Sequence, residues 1–93
     1  MYGRYTLDKL ERFAFNVSDA RLLGAISDER EIWWKWWRGS EITSADKTKY
    51  YLAHSIVLDE IAYGLADDRI FDQKKFVKRS KRCVEIATEY NNP

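Results

Sequence analysis

The stretch Tyr50-Tyr51-Leu52-Ala53-His54-Ser55-Ile56-Val57-Leu58-Asp59-Glu60-Ile61-Ala62-Tyr63-Gly64-Leu65 decides the fold. Wound at helical pitch, it places Tyr50, His54, Val57, Leu58, Ile61 and Leu65 on one side. Leu52, Ile56 and Tyr63 fall on the opposite side, flanked by Lys49, Asp59 and Glu60. A helix that is apolar on two sides either sits at the centre of a bundle or shows one strip to a partner. A helix is therefore expected over residues 45–66, capped by Thr43 or Ser44 and closed by Asp67 and Asp68. The strip Leu52, Ile56 and Tyr63 either packs within the chain or meets a second copy or another protein.

Toward the N-terminus, Leu7, Leu10, Phe13, Ala14 and Val17 share one helical face, so a helix is expected over residues 7–17 with Thr6 as its cap. Ser18 is read as the cap of a short helix over residues 19–25. Ser27 is read as the cap of another over residues 28–38, with Asp28, Glu29 and Glu31 in its first turn and Arg38 in its last. Gly39 is its natural stop. Toward the C-terminus, Asp72 is the expected cap of a helix over residues 73–90. No segment alternates with period two for long enough to form a strand. The expected fold is all-α: one domain, residues 1–93, an irregular bundle of three main helices plus one or two short ones.

Ile32-Trp33-Trp34-Lys35-Trp36-Trp37 is the most unusual segment. At about 100° per residue, Ile32, Trp33, Trp36 and Trp37 fill one arc, and Trp34 widens it to about 200°. A helix on a small bundle usually buries little more than about 100°. One or two of these Trp are therefore expected at the rim or outside the core, and Trp34, one turn from both Arg30 and Arg38, is expected to be more exposed than Trp33 or Trp36. Large aromatics fill small cores well, which accounts for the segment without any partner. The sharper alternative is a partner-binding face of Trp34, Arg30 and Arg38, because Trp and Arg are enriched at interface hot spots. Stacking on nucleobases is a third use of such a face.

Lys74, Lys75, Lys78, Arg79, Lys81 and Arg82 place six positive charges in nine residues. They lie opposite Phe76, Val77, Cys83 and Val84, and Lys81 can pair with Glu85 one turn on. Such a run is either a solvated face or a site for an acidic protein or phosphate, for which Lys74, Lys78, Lys81 and Arg82 are the candidate contacts.

The rest of the composition narrows the function classes. Net charge is +1, so no global field draws the chain toward nucleic acid or membrane. Cys83 is the only cysteine, which excludes an intrachain disulfide. No apolar signal core or bilayer-spanning run is present, so a cytoplasmic location is expected and no membrane partner. His54 is the only histidine, and on an apolar face it reads as a satisfied core residue rather than a catalyst. Gly-rich phosphate loops, zinc spacing and Ser/His/Asp arrangements are absent, so no catalytic residue, metal or cofactor is expected.

Residues 19–39 resemble a helix-turn-helix: Ala20 and Gly24 supply the small residue and the glycine four positions later, and Trp36 and Trp37 supply inward residues of a second helix. The pattern departs in two ways. The second helix's apolar positions arrive two or three residues late, and Arg30 falls where an inward apolar residue belongs. The resemblance implies a DNA-binding regulator. The expectation favoured by the residues is a non-enzymatic adaptor or inhibitor that docks on a larger protein, a type that includes phage-encoded inhibitors of host systems. A small enzyme using His54 is the remaining reading.

Overall fold

A computed structural model describes residues 4–62 and 73–91. The described residues form four helices: α1 (Arg4–Asn16), α2 (Ala20–Trp37), α3 (Ser44–Glu60) and α4 (Gln73–Asn91). They contain no strand. The all-α bundle is as the sequence implies, but its helices are divided differently.

Residues 19–39 hold one long helix instead of two short ones. The break between α1 and α2 lies at Ser18, which takes a positive φ of 57°. Ser18 N–H donates to Phe15 O, and Asp19 N–H reaches back to Ala14 O at 2.8 Å. This is the Schellman pattern, with Ser18 in the left-handed position that usually holds Gly. Ser18 therefore ends α1, and the N-cap of α2 passes to Asp19, whose carboxylate accepts from Leu22 N–H at 3.0 Å. Nothing interrupts the helix at Ser27, so the helix-turn-helix resemblance fails: its turn residues are mid-helix. Likewise α1 begins at Arg4, which puts Thr6 inside the helix and not at its cap.

The C-terminal stop of α2 is where Gly39 places it. Gly39 has φ 75°, its N–H donates to Trp36 O, and Ser40 N–H donates to Lys35 O at 3.0 Å. A second Schellman motif thus turns the chain toward α3. Thr43 caps α3 through a reciprocal box: Asp46 N–H donates to Thr43 Oγ1 at 3.0 Å, and Thr43 N–H donates to Asp46 Oδ2 at 3.1 Å. Leu65 and the expected caps Asp67, Asp68 and Asp72 lie outside the described residues.

Polar ties fix the helix directions. Arg30 bridges back to Asp8 and Glu11 of α1. Lys35 meets Asp46, Lys49 meets Glu31 and Asp28, and His54 meets Glu29. Ser80 of α4 donates to Ser55 O of α3 at 3.0 Å, and Tyr90 stacks on Tyr51. Each helix therefore runs antiparallel to the one before it, and α3 lies between α2 and α4. The core joins Leu10 and Ala14 of α1, Leu22, Ala25 and Ile26 of α2, Ala53, Val57 and Leu58 of α3 with Ile61 and Ala62 after it, and Phe76 and Cys83 of α4. The many small residues let the backbones approach closely, and the core closes without a tryptophan.

Candidate functional site

The inward stripe of α2 runs Leu22, Ala25, Ile26, Glu29, Ile32, all buried. Trp33 and Trp36 continue that stripe, one turn beyond Glu29 and Ile32. Yet Trp33 is 50% exposed, Trp34 52%, Trp36 64% and Trp37 64%. All four, not one or two, thus stand outside the core, and Trp34 exceeds Trp33 only slightly and falls below Trp36, which corrects the expected order at Trp36. Lys35, within the cluster, pairs at 3.2 Å with Asp46 in the first turn of α3, so the Trp end of α2 lies beside the start of α3. Trp33 and Trp37 stack on each other, centroids 5.5 Å apart and planes 11° from parallel.

Arg38 is the C-cap of α2 and is exposed on the same side as Trp34, one turn away. Arg30 is not beside them in effect. Both its terminal nitrogens are held by Asp8 and Glu11, so its guanidinium ties α1 to α2. Sequence reasoning read Arg30 as a neighbour of Trp34 because it knew only α2.

On α4, Phe76, Ser80, Cys83 and Ala87 point inward, and Lys74, Lys75, Lys78, Arg79, Lys81 and Arg82 are all exposed. The inward face is rotated slightly from the expected one, leaving Val84 44% exposed. The expected Lys81–Glu85 pair is replaced by Arg82, which meets Glu85 at 2.9 Å and Glu89 at 3.7 Å. These carboxylates lift the Arg82 guanidinium further above its ordinary range, the Glu85 hydrogen bond contributing most. The basic run begins at the end of α4 remote from Tyr90, whereas Tyr90 stacks on Tyr51 and lies under Lys47 near the start of α3. The Trp cluster and the leading part of the basic run thus occupy different ends of the bundle.

The strip on α3 does not form one surface. Leu52 is 44% exposed, but Ile56 packs against the core, and Tyr63 lies outside the described residues. A helix with neighbours on two sides has little free face left.

His54 belongs to a buried polar group that sequence reasoning saw only in part. His54 Nδ1–H donates to Glu29 Oε1 at 2.7 Å. Tyr50 stacks on the imidazole, centroids 5.5 Å apart. Burial, then the Glu29 charge, push the Tyr50 phenol up to about 12. Burial and Glu29 also push the Cys83 thiol up, against Arg79. A thiol held in its protonated form is a poor nucleophile. Glu29 is a buried mid-helix residue of α2 and not a first-turn residue. The signal that could have found it was its place between Ala25, Ile26 and Ile32 on the apolar stripe.

Among the described residues no three His, Cys, Asp or Glu side chains converge on a metal position. No helix among them is long and apolar enough to cross a membrane. No protein-family model, curated protein or solved structure matches this chain.

Proposed function

We propose that the chain is a non-enzymatic docking module that acts by occupying protein surfaces, as an adaptor or an inhibitor of a larger assembly. The observation that carries this reading is that all four tryptophans lie at least half exposed outside a core that closes without them. Exposing so much aromatic surface in one place disfavours solubility unless something covers it. Trp is the residue type most enriched at binding hot spots, because it buries a large area at little entropic cost.

The basic face of α4 supports a second contact. Like charges this close destabilise their own helix, and along α4 Arg82 is matched by Glu85 and Glu89. An acidic protein surface would relieve the repulsion and be steered toward it. Two contact surfaces at different ends of the bundle suit an adaptor. The helix-turn-helix reading loses its support with the unbroken α2.

The experiment is a three-bait comparison in native lysate: the parent chain, Trp36→Ala/Trp37→Ala, and Lys78→Glu/Arg82→Glu. The reading expects a stoichiometric partner cross-linked to the parent and lost with one bait while the other keeps it. The same captured set for all three baits would contradict it.

A further inference from the structure

We infer that the Trp end of α2 is covered by a second copy of this chain, in a twofold-symmetric dimer. The inference rests on the docking reading above and names the occupant of that surface. Two features select it.

The first is area. Four tryptophans, each able to bury about 150–250 Å² and each half to two-thirds exposed, present on the order of 500 Å² of apolar surface. That is at the upper end of what monomers leave open, about 300–600 Å². A standard interface takes about 800 Å² from each partner. Residues 38–41, which follow the cluster in the chain, are exposed as well.

The second is charge. Nucleic acid or an anionic lipid surface would match a cationic rim. The rim here carries both signs. Lys35 is already matched by Asp46, and Lys49 by Glu31 and Asp28. Arg38 and Glu41, both exposed and three residues apart, make no ion pair among the described residues. A surface holding one unmatched cation and one unmatched anion beside an apolar patch complements itself under a twofold rotation. Residue Arg38 of each copy then faces Glu41 of the other, twice per dimer. The stacked pair Trp33 and Trp37 lies inside that rim and supplies the flat apolar centre.

Sedimentation equilibrium of the full chain up to about 1 mM tests this. The parent is expected to show a reversible monomer–dimer equilibrium, and Trp36→Ser/Trp37→Ser to remain monomeric. At low salt, Arg38→Glu and Glu41→Arg should each weaken self-association about tenfold, because each turns two attractive contacts repulsive. Mixed together, those two variants should form a heterodimer of parental strength, since every 38–41 contact is then again between opposite charges. Lys78→Glu/Arg82→Glu should dimerise like the parent. A parent that stays monomeric at about 1 mM overturns the second-copy inference; the docking reading then survives only if the Trp36→Ala/Trp37→Ala bait loses a partner. A dimer whose strength is unchanged by the Trp substitutions overturns the assignment of this surface. Failure of the mixed variants to associate overturns the twofold arrangement.

Discussion

Trp33 stacks on Trp37 face to face at 5.5 Å, outside the core and not within it. Each ring shelters one face of the other at the C-terminal end of α2. The consequence is a separation of roles along α2: Leu22, Ile26 and Ile32 hold the fold, and the tryptophans one or two turns further on are available for contact.

That separation is measurable as stability. Leu22→Ala and Ile26→Ala should each cost about 2–5 kcal/mol, the usual price of emptying a closed aliphatic site. Trp36→Ala and Trp37→Ala should change stability by less than about 1 kcal/mol in dilute solution, because exposed positions are weakly coupled to folding. Urea denaturation of the four variants checks this. A Trp36→Ala loss as large as that of Ile26→Ala would show that the ring is packed.

Arg30 should behave as a structural tie. Arg30→Met keeps most of the stem and removes the guanidinium that joins Asp8 and Glu11. Partly exposed ion pairs are worth roughly 0.2–1 kcal/mol each, so the two together should cost about 1 kcal/mol or somewhat more. The loss should shrink in high salt. Hydrogen exchange should rise in α1 before α3; equal change in both helices would count against a local tie.

Asp46 sets an acid limb. The Thr43 backbone N–H, then Lys35, hold its carboxyl below the ordinary 3.8. A carboxylate lowered in the folded state adds stability above its unfolded pKa and loses it as pH falls through the folded one. The parent should therefore weaken on acidification below about pH 4, and Asp46→Asn should lack that part of the decline. Urea midpoints followed through the acid range decide it; superimposable acid limbs would remove Asp46 from the account. Thr43→Ala should cost about 1 kcal/mol at neutral pH through the same capping box.

Tyr50 sets an alkaline limb. Burial first, and the Glu29 charge second, raise its phenol to about 12. The stability tied to the protonated phenol is complete below about pH 10 and is lost as pH rises through the folded value. Phenolate absorbance on alkaline titration should contain a late step that Tyr50→Phe abolishes. A late step that persists in Tyr50→Phe would belong to another tyrosine.

Much of the architecture was legible because it is written locally. Gly39 as a stop, Thr43 as a cap and the charged outer face of α4 follow from residue type and spacing. The division of residues 4–37 was only partly legible: Ser18 and Asp19 are both good caps that only the left-handed turn at Ser18 assigns, and Ser27, a good cap by type, sits mid-helix. The site was half legible. Trp34 and Arg38 do lie together on the surface, as their spacing suggests. The exposure of Trp33 and Trp36 depends on what packs against that end of α2, which periodicity does not contain. Arg30 and Glu29 were misplaced for the same reason: their partners Asp8, Glu11 and His54 lie 19 to 25 residues away.

The central claim is that the tryptophans form a surface of the folded chain. Acrylamide quenching of their emission in dilute, folded protein tests it most directly. The account predicts red-shifted emission, quenched nearly as efficiently as in urea, with a blue shift and shielding that appear as the concentration rises and that Trp36→Ser/Trp37→Ser removes. Blue-shifted, shielded emission at every concentration, lost only on unfolding, would place the tryptophans in the core and contradict the account.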